Sequence, residues 1–269
     1  MLYTLRAVHR KNRLTILYAY PFTFFFSTVL GGVVNIVFPM FIYLFMFEQQ
    51  VSATFIQYAN TSDYTSFITL GASINVLAIA TILNVSRALI TEIREGTLEP
   101  FLLSPASRIG YYLGCLVEQT SRAFLEFAIV LFIGFLFGFR FPLVLLPQFI
   151  FIVLLAIFSF FAMSIPLSAL MVQTRDTYIS QNTIFISMLF LSGALFPVEF
   201  LPYPLQLVAN IFPNTPILIV FRGVILSGQT IAENLIPLIH CLGLSLLFIA
   251  LGAAYVRASE KKLIENVYA

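Results

Sequence analysis

Tryptophan is absent from this 269-residue chain, lysine occurs only as Lys11, Lys261 and Lys262, and charged residues make up just 10% of it. An ordinary soluble domain carries about 25% charged residues, so the polar covering that would keep a core of this length in water is missing. With 60% hydrophobic residues, the composition suits lipid, where few charges are needed. No Gly-x-x-x-x-Gly-Lys stretch exists, which excludes nucleotide hydrolysis by a P-loop on this chain. The two histidines, His9 and His240, and the two cysteines, Cys115 and Cys241, are far apart. They make a poor metal set and, lying in separate apolar segments, a poor disulfide; His240 reads as a hydrogen-bonded packing residue. No Gly-x-Ser-x-Gly elbow is present either. A net charge of +2 from scattered basic residues leaves no nucleic-acid footprint. The first 20 residues lack the apolar core and cleavage site of a secretory signal and are expected to stay on the protein.

What is present is apolar length. A helix crosses about 30 Å of hydrocarbon in roughly 20 residues, and six runs stand out, at residues 24–47, 66–83, 110–137, 143–172, 178–196 and 235–256. Backbone groups at that depth must be satisfied within their own segment, so each run is expected to be a helix. The fold class is therefore an all-α integral membrane protein, one domain over 1–269. Phenylalanine, at 30 residues, supplies the packing and lipid-facing surface, and the interfacial belt falls to tyrosines such as Tyr18, Tyr20, Tyr58, Tyr64, Tyr111, Tyr112 and Tyr203. Pro39 and Pro166 lie inside runs and predict kinks.

Charge matters by location. If the amino end is inside, eleven of the fourteen Lys and Arg residues fall on the inner side, the outer segments keep Arg140 and Arg222, and Arg122 lies within the third run. The positive-inside bias thus predicts cytoplasmic termini. Before the first run, Arg6, Arg10 and Arg13 fall with His9 inside an arc of about 100° on a 3.6-residue helix, with Leu5, Val8 and Ile16 on another face. Two readings fit: an amphipathic helix over 1–20 lying on the inner membrane surface, or a basic flank that anchors the first span. Residues 198–234 carry Pro202, Pro204, Pro213 and Pro216 among apolar residues, which breaks them into pieces too short to cross. Backbone of that kind is tolerated at membrane depth only when shielded or lining a wet cavity, so an outer re-entrant helical hairpin is expected before the last span.

The inner connection at 91–108 reads Thr91-Glu92-Ile93-Arg94-Glu95-Gly96-Thr97-Leu98-Glu99 and continues to Ser104-Pro105. Glu92, Glu95 and Glu99 recur at the three- and four-residue spacing of one helical face. Pro100 disfavours helical geometry at Glu99, so that helix is expected to end near Thr97 or Leu98. Such a strip fits a docking edge and a solvated loop equally well.

Glu-x-x-Glu-Gly-Thr-Leu-Glu with a downstream Ser-Pro resembles the cytoplasmic motif of ABC-2 type transporter permeases. A second pattern accompanies it: Leu191-Ser192-Gly193, then Phe196-Pro197, Leu201-Pro202, Pro213 and Arg222-Gly223, in the order and approximate spacing that family shows near its outer re-entrant region. Phe212-Pro213-Asn214-Thr215 departs from it, since the family more often has Asn directly before the proline. The resemblance covers nearly the whole chain. It implies a plasma (bacterial inner) membrane permease without a cofactor of its own. It further implies a second permease copy, as a homodimer or related heterodimer, and two P-loop ATPase chains beneath, which hold the ATP and Mg²⁺. The coupling residues implied are Glu92, Arg94, Glu95, Gly96, Thr97 and Glu99, and the outer region is marked by Gly193, Phe196, Pro197, Glu199, Pro202, Pro213, Arg222 and Gly223.

Two further charged groups stand out. Glu118, Arg122 and Glu126 are spaced four apart on one face of the third run. A charge at the bilayer centre costs roughly 2.5–3.5 kcal/mol on insertion scales, so this ladder is expected to face protein or water, as a brace or as a vestibule wall. Arg222 has two readings, reception of an anionic headgroup or phosphate, and snorkelling to the outer interface with Glu199 as its partner.

The expected function is ATP-driven export of an amphiphilic, drug-like or lipid-like substrate by this permease. Alternatives are export of a lipid-linked glycan or polysaccharide within the same family, and gradient-driven secondary transport. The absence of Trp argues against a stacked aromatic track for sugars. Secondary transport predicts mid-span acids and inverted repeats, of which the sequence offers only the ladder. An intramembrane enzyme would need a nucleophile, base or metal set that the sequence does not supply.

Overall fold

The computed structural model describes residues 1–19, 21–174 and 183–267. The chain opens with α1 (Leu2–Ala19) and α2 (Pro21–Phe41), which widens into a π-helical turn at Ile42–Met46. Pro39 sits just before that turn; without an N–H it cannot continue the hydrogen-bond ladder. A short α3 (Ala53–Ala59) follows, capped by Ser52 Oγ, which accepts from the Phe55 amide at 3.1 Å. Helix α4 (Tyr64–Ala78) is capped by Asp63, which accepts from the Ser66 amide at 3.1 Å, and it too runs on as a π-helix, Ile79–Asn84. Next come α5 (Ala88–Arg94), α6 (Leu98–Leu103) and α7 (Arg108–Leu136), the last capped by Ser107. The chain continues through α8 (Leu146–Thr174), α9 (Phe185–Leu191), α10 (Tyr203–Ala209), α11 (Asn214–Ile225) and α12 (Leu235–Val267). Among the described residues there is no strand.

Among the described residues, five helices are long and apolar enough to cross a membrane: Val29–Met46, Tyr64–Asn84, Arg108–Leu136, Leu143–Thr174 and Leu235–Tyr255. Helices α10 and α11 together would make a sixth, but the chain bends by 90° between them. The expected run at 178–196 begins outside the described residues; its described part holds the seven-residue α9. The protein is an all-α, multi-pass membrane protein.

Helix α4 is the centre of the bundle. It packs against α2, α7, α8 and α11, and every residue from Ser66 to Ala78 is buried. Its small residues explain the position: lipid gives helices no hydrophobic reason to associate, so close approach through Gly, Ala, Ser and Thr supplies the packing. At Gly134 on α7, an added Cβ would come within 3.0 Å of the Thr69 Cβ. Helices α8 and α12 are zipped by a polar seam in which Ser245 Oγ donates to Ser159 Oγ at 2.9 Å, with Cys241 Sγ 3.0 Å from the same hydroxyl. Both cysteines are free.

Helix α1 lies on the amino-terminal end of α7, where Gly110 and Gly114 make room for it. A Cβ at Gly114 would fall 2.8 Å from the Val8 Cβ. Leu5 and Val8 pack into this contact while Arg6, Arg10 and Arg13 stay exposed. The tyrosine belt is only partly realised. Tyr18, Tyr58 and Tyr203 are exposed, but Tyr111 and Tyr112 are buried, because their hydroxyls find partners inside the bundle, Glu92 for Tyr111 and Ser168 for Tyr112. Tyr20 lies outside the described residues.

Candidate functional site

The α5–α6 connection begins with a helix end that the sequence dictates. Gly96 adopts φ +70°, a conformation a side chain would strain. The Gly96 amide donates to the Ile93 carbonyl at 3.1 Å and the Thr97 amide to the Glu92 carbonyl at 2.9 Å, the paired bonds of a Schellman stop. Helix α5 therefore ends at Arg94, earlier than Pro100 suggested, and Glu99 belongs to α6. Pro100 is accommodated in the first turn of α6, where a missing N–H leaves no helical bond unmade. The three glutamates consequently do not share one helix face. The Glu99 side chain lies outside the described residues.

Glu92 and Glu95, three residues apart, have opposite surroundings. Glu92 is buried. Lys11 of α1 donates to both its oxygens, at 2.7 and 3.0 Å. The Tyr111 hydroxyl donates to it at 3.2 Å, and the Thr97 hydroxyl bonds its other oxygen. Burial by itself would raise the Glu92 carboxyl, but the hydrogen bonds from Lys11 and Thr97, with the Lys11 charge, hold it below the usual carboxylate range. Burial likewise pulls the Lys11 amine down, yet the Glu92 bond and charge leave it above its ordinary value. Glu95 is exposed and approaches the same Lys11 only at 3.6 Å. Lys11 and Tyr111 had no sequence signal, since neither spacing nor type pointed across 81 and 19 residues to Glu92.

The charge ladder of α7 also divides. Glu118 is buried and accepts from Gln119 Nε2 at 2.8 Å and from Arg122 Nη1 at 3.4 Å. Glu126 turns toward α2, where a Cβ on Gly31 would lie 3.4 Å from its Oε2. At Gly32 the Glu126 carbonyl would be 3.2 Å away, so the two glycines bring α2 onto this face of α7.

At the opposite end of the bundle, Arg222 on α11 ties three segments together. Its Nη1 donates to the Gly193 carbonyl at 2.6 Å, its Nη2 to Ala194 at 2.8 Å and to Phe67 at 3.0 Å, and its Nε to Phe67 at 3.3 Å. The guanidinium carbon stands 3.4 Å from the centre of the Phe67 ring. Arg222 is thus bonded to main-chain carbonyls rather than to the expected Glu199, which is exposed. Gly193, at φ +83°, makes the turn that aims those carbonyls. Asn214, fully buried at the start of α11, donates to Ser192 Oγ at 2.9 Å. Pro202 and Pro213 flank the starts of α10 and α11, and Gly223 leaves room for Asn234, whose Oδ1 would be 2.9 Å from an added Cβ. Phe196 faces elsewhere. It lines an apolar cleft of about 630 Å³ with Phe38, Phe47, Phe55, Phe190 and Phe200. Pro197, buried, lines a separate and smaller cavity with Glu199.

A buried central helix, a side-chain clasp at one end, and a carbonyl-braced arginine beside an apolar cleft at the other describe a polytopic membrane protein with an internal cleft. The family model described as ABC-2 family transporter protein matches residues 48–254, and the chain belongs to that family. It is accordingly a membrane transport component of an ABC transporter, a kind of subunit that generally lacks an ATPase site of its own. No curated protein matches the chain significantly. Helices α1 and α2, and with them Lys11, precede the matched residues, whereas Glu92 lies within them.

Proposed function

We propose that this chain is the permease of an ATP-driven exporter that moves an amphiphilic, drug-like or lipid-like molecule outward. It works with two copies of a separate P-loop ATPase, which hold ATP and Mg²⁺, and with a second permease copy. Both termini face the cytoplasm of a plasma (bacterial inner) membrane, as the location of the basic residues supports. Helix α1 lies at the inner interface with Arg6, Arg10 and Arg13 toward headgroups, and α10–α11 form a re-entrant hairpin on the outer side.

The apolar cleft carries the choice of substrate. It is walled largely by phenylalanines, with Asn35, Gln50, Ser52 and the two tyrosines Tyr43 and Tyr64 as its sparse polar groups, which suits an apolar body better than an ion or a sugar chain. Coupling runs through the α5–α6 segment. Glu92 positions it against α1, and Glu95, exposed beside it, is the acid available to basic residues of the ATPase. The Glu118–Arg122 pair acts as a brace, since its charges are turned on each other.

The test is reconstitution of the chain with the P-loop ATPase encoded beside its gene. Amphiphile-stimulated ATP hydrolysis and outward movement that need both proteins support the reading. Gradient-driven uptake by this chain alone overturns it.

A further inference from the structure

The Arg222 end of the bundle holds a second cavity, of about 230 Å³, lined by Asn60, Phe67, Glu199, Arg222, Ser227 and Gln229 among others. It is smaller and more polar than the neighbouring cleft, with Arg222 and Glu199 set among apolar side chains. At about 30 Å³ for each water in the liquid, it holds the equivalent of roughly eight waters, room for a headgroup.

Its charges are unusual. Arg222 bonds only to neutral carbonyls, and among the described residues no carboxylate is paired with it. Carbonyl dipoles and the Phe67 ring solvate the guanidinium without neutralising its unit charge, and the carboxylate that acts on it electrostatically, Glu199, makes no ion pair with it. Glu199 borders the same cavity from the exposed side, also unpaired among the described residues. Two opposite charges therefore flank one small space without meeting. Neutral donors stand near them: Gln229 accepts from Asn234 Nδ2 at 3.1 Å through its oxygen, which leaves its amide N–H groups for a guest. An isolated anion would meet the repulsion of Glu199 and an isolated cation that of Arg222; a zwitterion satisfies both.

The two cavities share a wall of aromatic rings. Phe55, Tyr64 and Phe200 line the apolar cleft, and Tyr58 and Phe67 line the smaller cavity. Their rings touch, with Phe55–Phe67 at 5.0 Å, Phe55–Phe200 at 6.5 Å and Tyr58–Phe200 at 5.8 Å between centroids. A molecule with an apolar body and a charged head meets both of its environments across one layer of side chains.

We propose that the smaller cavity binds the small zwitterionic headgroup of an amphiphile, its anionic group toward Arg222 and its ammonium toward Glu199. The site rests on the amphiphile reading above and narrows it to a chemical class.

Calorimetric titration of the purified permease–ATPase complex with phosphoethanolamine, inorganic phosphate and ethanolamine tests this. Phosphoethanolamine is expected to bind at least about fivefold tighter than either single-charge probe, the size of one modest charge contact. Glu199→Gln, an exposed change that leaves the Arg222 brace untouched, is expected to remove that margin. No binding of phosphoethanolamine, binding no tighter than phosphate, or a margin that survives in Glu199→Gln overturns the proposal. A second arm distinguishes the source. Native mass spectrometry of the protein from nanodiscs holding equal phosphatidylethanolamine and phosphatidylglycerol should show the zwitterionic lipid retained in the wild type and lost in Glu199→Gln. Binding of soluble phosphoethanolamine without lipid preference overturns the headgroup assignment and leaves a free zwitterion as the occupant. Failure of the export reading shows separately, as ATPase activity that no amphiphile stimulates while the zwitterion margin persists.

Discussion

The two ends of this bundle each remove a charge from water, and they compensate it in opposite ways. Glu92 is met by another side chain, Lys11, brought in from a helix 81 residues away, with two hydroxyls completing the shell. Arg222 is met by the main chain of Phe67, Gly193 and Ala194. A side-chain clasp can open and close by rotamer change and by pH, because the half-exposed Lys11 has water as an alternative. A cation held by four hydrogen bonds to the carbonyls of two segments must break several at once to let go, so that end behaves as a fixed frame. If the α5–α6 segment couples to the ATPase as proposed, this division places the adjustable contact where the drive enters and the rigid one where helices α4 and α11 meet.

The largest effect that would break this contrast is expected at the fixed end. Arg222→Ala leaves carbonyls without donors, at about 1–3 kcal/mol for each one left unpaired in an apolar setting, and should abolish the monodisperse peak of the detergent-solubilised protein in size-exclusion chromatography. Gly71→Ala should do nearly the same without removing a charge, because its Cβ would overlap the Ala194 carbonyl and the Arg222 guanidinium, the carbonyl carbon lying only 3.0 Å away. A well-folded Arg222→Ala protein would show that the brace is dispensable and the contrast mistaken.

A smaller loss is expected at the adjustable end. Lys11→Ala or Glu92→Ala should each lower stability by about 1–2 kcal/mol, tempered by the exposure of Lys11. The double variant should lose clearly less than the sum, with a coupling of about 0.5 kcal/mol or more in a thermal-unfolding cycle. Additive losses would mean that the clasp holds nothing.

The pH response follows from the two shifts. The Glu92 carboxyl is depressed in the folded protein, so its contribution is present above the unfolded value, about 4.3, and is lost as pH falls through the folded one. Lys11 is raised, so its contribution is full below about 10.4 and is lost only as pH rises through its higher folded value. Hydrogen exchange of the α5 amides should therefore stay slow across neutral pH, after correction for intrinsic rates, and lose protection below about pH 4. Loss of protection between pH 6 and 8 would contradict the assignment.

The smallest effect on stability should come from Glu95→Gln, within about 0.5 kcal/mol as for an exposed position. If Glu95 is the acid the ATPase meets, the same change should weaken copurification of the ATPase and lower amphiphile-stimulated hydrolysis. Unaltered coupling in Glu95→Gln would shift docking to another part of the segment.

Much of the fold was legible before any coordinates, for a simple reason. Apolar length and scarce charge report directly on a solvent of lipid, so five of the runs reappear as membrane-length helices, and the prolines of 198–234 reappear as a bent helix pair. The stop at Gly96 was misplaced because Pro100 looked like the stronger breaker, when a proline in the first turn of α6 disturbs nothing. The site was less legible. Sequence spacing placed Glu92, Glu95 and Glu99 on one face; the left-handed turn at Gly96 separated them.

Composition and periodicity by themselves determined that this chain lives in a bilayer as helices, and its motifs pointed to a permease, because those properties are sums over residues or local patterns. Which helix stands at the centre, which glutamate is buried, and what Arg222 bonds to were decided only by tertiary structure. Each depends on contacts between segments tens to more than a hundred residues apart, as with Arg222 and Phe67 across 155 residues, and nothing in a local pattern carries that distance.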